Sequence, residues 1–249
     1  ELDGQNVLDS YGTDYPASYQ AGLRKQGEGT LIITDETNDE GKKITTPKSE
    51  SDTSGSLTAK GAGGNGAAGI GGSAAEGTKN ITIEGYATVH AAGGGSGAGI
   101  GGGYESGAGN IEITGGTVEA VGGEGAAGIG GGVYGIGHDI ESSGGKVSAT
   151  GGNANKNLES FRTGAAGIGD GAGTEKDEID PNAPSNPNHI YISGDAEVEA
   201  KAGASTGGKT AAIGGGDVGA IPNSALPADH PKGTGGRLTP SDPAGQKME

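Results

Sequence analysis

Short segments in which apolar and polar residues alternate recur along most of the chain. Alternation with a period of two is typical of β-strands that bury one face. Two sets of segments are evident, and each repeats its own apolar pair. The first set carries Ile81 and Ile83, Ile111 and Ile113, Ile140 and Ser142, and Ile190 and Ile192. The second carries Leu57 and Ala59, Val89 and Ala91, Val118 and Ala120, Val147 and Ala149, and Val198 and Ala200.

A third phrase, built on an isoleucine among glycines, follows each segment of the second set. Its isoleucines are Ile70, Ile100, Ile129, Ile168 and Ile213. No segment could bury its apolar face alone, whereas stacking equivalent segments of successive repeats would place Ile over Ile and Val over Val. The pattern therefore predicts an all-β fold, a single-stranded parallel β-helix (a solenoid) with three faces and about five coils. We expect it to be right-handed, the hand that β crossovers favour.

The phrases also set the predicted domain bounds. We predict the β-helix over 29–216, with surface loops inserted at 35–55 and 171–188. Residues 1–28 carry Tyr11, Tyr15, Tyr19 and Leu23 at a spacing of four, so we predict an N-terminal cap over the first coil, with one helical stretch. The Pro- and Gly-rich segment 217–249 is predicted to be a loop and a frayed tail.

Glycine changes how the low apolar content is interpreted. The chain of 249 residues has 58 glycines, only 30% hydrophobic residues and 3% aromatic residues, a composition close to that of disordered chains. The apolar residues are nevertheless in register, and glycine suits the corners, where φ must be positive. The coil with Ile140 and Ser142 departs from the pattern, so we expect it to be the most weakly packed.

Charge and cysteine content exclude several classes of function. A net charge of -16 disfavours nucleic-acid binding, which needs a basic surface. No apolar run is long enough for a transmembrane helix, so we expect no membrane insertion. The chain has no cysteine, which removes disulfides, thiolate metal sites and cysteine nucleophiles. This fits a secreted or cell-surface bacterial protein that does without disulfides.

The phrases GAGIGGG at 97–103 and NIEITGGTVEA at 110–120 resemble glycine-rich repeats of secreted and cell-wall-attached proteins of Gram-positive gut bacteria. The resemblance covers roughly 29–216 and concerns the residues that build the coil. It implies a β-helix domain of carbohydrate-binding or adhesin-like type, located outside the cell. It assigns no site residue.

Candidate ligand-binding residues lie in the loops that follow the third phrase. Tyr104 and Tyr134 come four and five residues after equivalent isoleucines, so we expect their rings to stack in adjacent coils. Aromatic rings beside acidic groups suit sugars, whose apolar faces pack on rings. The alternative to ligand binding is a structural role in which the two rings only cover the strand ends. The remaining candidates, chosen for their place in nearby loops, are Phe161, Arg162, Asp170 and Asp217.

A candidate metal site lies on the outward face of the first set of strands. Glu112 and Glu141 occupy equivalent positions of neighbouring coils, and carboxylates so close could share Ca²⁺. The alternative to a metal site is that these glutamates belong to an acidic face exposed to solvent. Calcium is the one candidate ion, and we expect no other cofactor.

These features predict a non-catalytic extracellular module that binds a glycan or host surface ligand. A purely structural stalk of a larger cell-surface protein remains open as an alternative. A polysaccharide lyase or hydrolase is a second alternative, although Arg24, Arg162 and Arg237 all lie outside the predicted repeat strands. Nothing in the pattern predicts the oligomeric state.

Overall fold

The computed structural model describes residue 2 and residues 4–10, 19–36, 55–64, 66–154, 164–173, 189–205 and 210–215, together with the backbone of 237–240. Its strands, numbered β1 to β18 in chain order, form three six-stranded sheets whose neighbouring strands all run parallel. Successive strands belong to sheets A, B and C in turn, so every three strands complete one coil. The predicted parallel β-helix with three faces is confirmed; its hand stays a prediction.

Sheet A consists of the second set of alternating segments. Its inward positions form a column of Leu57, Val89, Val118, Val147 and Val198, with a parallel column of alanines beside it. Side chains of equal shape thus stack from coil to coil, as expected from the repeat. The strands are β1 Gln5–Asp9, β4 Ser56–Lys60, β7 Thr88–Ala92, β10 Thr117–Val121, β13 Lys146–Thr150 and β16 Glu197–Lys201.

Sheet B consists of strands of only two residues, an apolar residue followed in most coils by glycine. The short length fits a corner-like third wall in which the isoleucine points inward and glycine lets the next coil come close. The strands are β2 Leu23–Arg24, β5 Ile70–Gly71, β8 Ile100–Gly101, β11 Ile129–Gly130, β14 Ile168–Gly169 and β17 Ile213–Gly214.

Sheet C consists of the first set of alternating segments and supplies most of the bulky core. Ile81, Ile111, Ile140 and Ile190 pair in register and are fully buried, as the repeat predicts. The strands are β3 Leu31–Asp35, β6 Thr78–Gly85, β9 Ala108–Ile113, β12 Gly137–Ser142, β15 His189–Ile192 and β18 Arg237–Pro240.

The N-terminal segment differs from the predicted cap. Gln5–Asp9 pairs in parallel with Ser56–Lys60, and Leu23–Arg24 pairs with Ile70–Gly71. With Leu31–Asp35 they form a first coil, so the described strands make six coils rather than about five. Its sheet C strand carries the alternation of the first set, with Leu31 over Ile81 and Ile33 over Ile83, whereas Gln5–Asp9 lacks the repeated phrase and is held by backbone hydrogen bonds to the next coil. Residues 11–18, where the helical stretch was predicted, lie outside the described residues.

The predicted inserts and tail also differ at their ends. Asp35 ends β3 and is buried, and Gly171 and Ala172 are buried against the fourth coil, so both loops begin later than the sequence predicts. Within the predicted tail, Arg237–Pro240 pairs with His189–Ile192 as the last strand of sheet C. Among the residues that the structure describes, no helix is long and apolar enough to cross a membrane.

Ser142 interrupts a column of isoleucines in the sheet C core, and the weaker packing of its coil stays a prediction. It stands between Ile113 and Ile192 in their column and is buried. Its hydroxyl has no hydrogen-bond partner among the described residues. A buried hydroxyl without a partner costs about 1–3 kcal/mol, and each missing methylene forgoes roughly 0.8 kcal/mol of burial.

Replacing Ser142 by valine should therefore raise the free energy of unfolding by about 1–2 kcal/mol, because it removes the hydroxyl and fills the column. Urea denaturation followed by circular dichroism measures the change. Ser142→Ala is the control that removes the hydroxyl without filling space, and we expect it to fall between the wild type and Ser142→Val. A valine variant less stable than the alanine variant would show that the column has already closed around the serine.

Candidate functional site

The turns that lead from sheet B to sheet C place the two candidate tyrosines on the surface. These turns stack like the strands: the backbone N–H of Glu105 donates to the carbonyl oxygen of Val133 at 2.8 Å, and that of Tyr134 donates to Ala172 at 2.8 Å. Glu105, Tyr134 and Gly173 therefore occupy one column, and Tyr104 lies one position before it. The scaffold thus fixes both tyrosines through their backbones.

The two rings lie against each other across adjacent coils. The centroids of Tyr104 and Tyr134 are 6.1 Å apart and the ring planes meet at 72°, an edge-to-face contact. Tyr134 is 39% exposed and Tyr104 is half-buried. The rings meet across adjacent coils as expected, but edge-to-face rather than stacked, and the pair forms a small aromatic surface that is open to solvent on the Tyr134 side. Its role in ligand binding stays a prediction.

The environment of Tyr104 fixes its hydroxyl. Burial, and then the hydrogen bond and negative charge of Glu105, raise the pKa of Tyr104 above its ordinary value. The phenol is therefore protonated at neutral pH and donates to the Glu105 carboxylate. A ring edge and a carboxylate are held together at this point, which is the combination of apolar and polar contacts that sugars use.

Tyr134 also packs on the next coil. A Cβ atom on Gly173 would lie only 2.6 Å from the Cε1 atom of Tyr134, so the ring covers this glycine. Tyr134 itself has a φ of 62°, and Glu105 and Gly173 in the same column also have positive φ, so the turn keeps one backbone conformation in successive coils. Covering the neighbouring coil is thus part of what Tyr134 does, whatever else it binds.

Asp170 has a structural role that the sequence did not suggest. In the two preceding coils, the first N–H groups of β6 and β9 donate to carbonyl groups of the next coil, Thr78 to Gly107 and Ala108 to Ile136. For Gly137, the first residue of β12, the Oδ1 atom of Asp170 accepts this hydrogen bond at 2.9 Å. The carboxylate of Asp170 thus accepts the hydrogen bond that a backbone carbonyl accepts in the earlier coils. A long insert precedes the sheet C strand of the following coil.

Burial raises the pKa of Asp170 from 3.8 to about 6, although the N–H of Gly137 and the positive charge of His138 act in the opposite direction. A raised pKa means that the folded protein binds this proton more tightly than the unfolded chain. The stabilisation that the protonated Asp170 gives the folded state is complete below the ordinary aspartate pKa of 3.8, and it is lost as the pH rises through 6. At pH 7 the buried, ionised carboxylate is therefore a net cost to stability.

Asp170→Asn should be more stable than the wild type at pH 7, by about 2 kcal/mol, because the amide oxygen still accepts from Gly137 without carrying a charge. The advantage should shrink between pH 7 and pH 4.5, as the wild-type carboxyl takes up its proton. Thermal melting of both proteins across this range measures it, and all other carboxyls cancel in the comparison. An asparagine variant that is less stable than the wild type at pH 7 but not at pH 4.5 would mean that the charge itself is needed.

Glu112 and Glu141 are direct neighbours in sheet C, and both are exposed. Their column continues with Thr82 on one side and Tyr191 on the other, neither of which offers a carboxylate. Within the described part of the chain, no three acidic or histidine side chains are grouped so as to hold a metal ion. The residues are adjacent as predicted, and the calcium site stays a prediction. Phe161, Arg162 and Asp217 lie outside the described residues.

A ladder of polar side chains, which the sequence analysis missed, runs along the start of sheet C. Asn80, Asn110 and Asp139 directly precede the stacked isoleucines and all have positive φ, between 51° and 60°. The Nδ2 of Asn110 donates to the Oδ1 of Asn80 at 2.6 Å, and the Nδ2 of Asn80 donates to the carbonyl of Glu28 at 2.8 Å. The signal was an Asn or Asp before three of the four first isoleucines, Ile81, Ile111 and Ile140, since these residue types tolerate this conformation.

Two histidines from neighbouring coils meet at the end of this ladder. His138 Nδ1 lies 3.0 Å from one carboxylate oxygen of Asp139, and His189 Nδ1 lies 3.9 Å from the other. The ring of His189 in turn makes an edge-to-face contact with Tyr191, with centroids 5.4 Å apart. The sequence placed both histidines before a strand, but only the stacking shows that they share one carboxylate.

A groove follows the ladder along the corner between sheets B and C. It encloses about 610 Å³ and reaches from the first coil to the fourth. Its small lining residues are Gly27, Gly77, Gly107, Ala108 and Gly109. Its polar lining consists of Lys25, Glu28, Thr78, Lys79, Asn110, His138 and Asp139.

The arginines are placed differently from the prediction. Arg24 is in β2 and Arg237 is in β18, so both are on strands. The guanidinium of Arg24 forms an ion pair with Glu76, with Nε 2.8 Å from Oε2, and lowers the pKa of that carboxyl. This pairing engages Arg24 at the surface of the first two coils, away from the paired glutamates of sheet C.

Comparison with known proteins agrees with the architecture. Residues 81–104 and 111–133 match the family model described as Beta helix repeat. No curated protein and no solved structure matches the chain. Each matched range runs from a sheet C strand through the sheet A and sheet B strands that follow it, from β6 to β8 and from β9 to β11. The repeats and the three parallel sheets together identify this protein as one that carries a parallel β-helix domain.

Proposed function

We propose that this β-helix is a non-catalytic module that acts outside the cell and binds a glycan. The observation that carries the proposal is the edge-to-face pair of Tyr104 and Tyr134, centroids 6.1 Å apart, in a solvent-facing turn of two adjacent coils. Tyrosine offers a sugar an apolar face for its C–H groups and a hydroxyl for its polar edge. Turns on a rigid scaffold are where binding residues concentrate.

The surroundings of the pair support a ligand that is rich in hydroxyl groups. Glu105 already accepts from the hydroxyl of Tyr104, and its second oxygen and lone pairs are suited to a sugar hydroxyl. The backbone of the turn is pinned to both neighbouring coils, so little flexibility is lost when a ligand binds. A structural stalk, in which the rings only cover the coil below, would require no ligand at all.

Tyr134→Gly should abolish binding on a glycan array or weaken it at least about tenfold, because it removes the exposed ring. Glycine suits the positive φ of this position and is the residue of the next coil at Gly173, so the fold should be kept. The array should be probed with the full chain, and each hit should then be titrated by calorimetry.

The matched control is Tyr191→Thr, which removes a tyrosine of similar exposure, 37%, from the outward face of sheet C. Binding that survives the control and is lost in Tyr134→Gly supports the tyrosine pair. If the wild-type chain binds no saccharide, the glycan proposal is wrong and the stalk is favoured. If both variants bind like the wild type, the ligand sits elsewhere.

A further inference from the structure

We infer that the groove between sheets B and C binds an uncharged linear glycan, with the sugar chain lying along the axis of the solenoid. This inference rests on the proposed function and deepens it, since it names the ligand class and the surface along which the ligand extends. It depends on three observations: the shape of the groove, the hydrogen-bonding groups of the ladder, and the balance of charge in the lining.

The groove is long and open along the axis. It is lined by residues of four successive coils, from Lys25 and Glu28 in the first to His138 and Asp139 in the fourth. Coils are about 4.8 Å apart, so three intervals give a length of roughly 14 Å. A volume of about 610 Å³ is within the range of sites that hold small organic ligands. One coil per sugar unit is close to the rise of an extended glycan chain.

The glycines of the lining let the coils pack closely beneath the groove. Gly77, Gly107 and Gly109 lie in the lining. A Cβ atom on Gly107 would lie 2.7 Å from the carbonyl oxygen of Ile136, and one on Gly109 would lie 2.4 Å from a ring carbon of His138. The absence of a side chain at Gly109 therefore makes room for the His138 ring, which forms one edge of the groove.

The ladder supplies donors and acceptors at a regular spacing. Each side-chain amide has two N–H groups and an oxygen with two lone pairs. The ladder uses one N–H of Asn110, in the bond to Asn80. The second N–H and the oxygen of Asn110 have no hydrogen-bond partner among the described residues, and the side chain is exposed. Sugar hydroxyls, which both donate and accept, match such groups.

The charges of the lining are balanced, although the whole chain is strongly acidic. Lys79 Nζ lies 2.8 Å from Glu28 Oε2, so these two opposite charges face each other. Lys25 is buried, and its Nζ donates to the backbone carbonyls of Gln26 and Gly27 at 3.3 and 2.7 Å. An acidic ligand would meet Glu28 and Asp139, and a metal ion finds no group of three ligands among the described residues. An uncharged polyhydroxylated ligand meets neither obstacle.

The tyrosine pair lies close to the groove in sequence but does not line it. Tyr104 comes three residues before Gly107, and Tyr134 comes four residues before His138. The contributions of the groove and of the tyrosine pair to binding are therefore tested by separate variants.

Calorimetric titration of the full chain with oligosaccharides tests the inference. The probes are neutral cello-, manno- and xylo-oligosaccharides from disaccharide to hexasaccharide, and oligogalacturonides of the same lengths. For at least one neutral series, affinity should rise with length and level off near the tetrasaccharide, since the groove spans four coils. His138→Ala and Asn110→Gly should each weaken binding about tenfold. Glycine at 110 suits its φ of 52° and should preserve the melting temperature.

The matched control is His90→Ala on sheet A. His90 is 47% exposed and lies 3.0 Å from Glu119, whereas His138 is 46% exposed and lies 3.0 Å from Asp139. Unchanged binding in the control, with loss in both groove variants, supports the inference. Binding that depends on Tyr134 but not on His138 or Asn110 overturns the groove and leaves the tyrosine site standing. Tighter binding of oligogalacturonides overturns the uncharged class, and no binding of any probe overturns the groove together with the proposed function.

Discussion

Gly101→Ala should lower the free energy of unfolding by about 3 kcal/mol or more, from backbone strain and overpacking together. Gly101 has a φ of 140°, a conformation that residues with a side chain rarely adopt. A Cβ atom there would lie 1.9 Å from the carbonyl oxygen of Gly130 in the next coil. Because that oxygen belongs to the backbone of the stack, it cannot swing away as a side chain could.

Urea denaturation of the variant, followed by circular dichroism, measures the loss. Gly63→Ala is the matched control, because a Cβ atom at Gly63 meets nothing within 4 Å. It should be neutral, or stabilise by about 0.4–1 kcal/mol through the unfolded chain. Equal midpoints for the two variants would mean that the third wall can spread to admit a methyl group, and that close approach at Gly101 is unimportant.

The same glycine explains why composition misleads in this protein. Gly71, Gly101, Gly130, Gly169 and Gly214 are equivalent residues with φ between 117° and 140°. Glycine here is not a sign of disorder but a requirement of the wall that it builds. Amino-acid composition does not record where in the chain each glycine stands. The spacing of the repeated phrase does, and so it shows that these glycines recur at one position of the coil.

The register of the inner columns could be predicted because equivalent residues of successive repeats are aligned by the repeated phrases. Ile100 pairs with Ile129, and Val118 pairs with Val147, as the aligned phrases require. The first strand of the first coil could not be predicted in this way. Gln5–Asp9 places Asn6 where the other coils have Leu or Val, and leaves Val7 exposed. It is held by backbone pairing, which no side-chain pattern records.

In the candidate site too, contacts between equivalent repeat positions could be predicted and the other contacts could not. Tyr104 and Tyr134 could be brought together from sequence, since they stand at nearly equivalent places in neighbouring repeats. The hydrogen bond that Asp170 accepts from Gly137 could not be predicted, because a backbone carbonyl accepts the equivalent bond in the two preceding coils. The contact of His138 and His189 with Asp139 was also hidden, since a long insert separates coils that stack directly.

Ile111→Ala should cost about 3–4 kcal/mol of stability, near the middle of the range for removing a large side chain from a core. Ile111 is fully buried and stands between Ile81 and Ile140 in its column. The cost of such a change depends on how far the surroundings can collapse into the space that is left. Here both neighbouring strands are fixed at the ladder spacing by backbone hydrogen bonds, so the cavity persists.

Ile32→Ala is the control, because Ile32 lies on the outward face of the same sheet and is 52% exposed. It removes the same atoms from a strand of sheet C and should cost less than about 1 kcal/mol, as exposed substitutions do. The difference between the two urea midpoints measures how much the inner column contributes to stability. Both variants replace isoleucine by alanine in a strand, so the change in β-propensity and in side-chain size is the same. If the two variants were equally stable, the backbone ladder alone would hold the coils, and the thin line of isoleucines would not be the core of this fold.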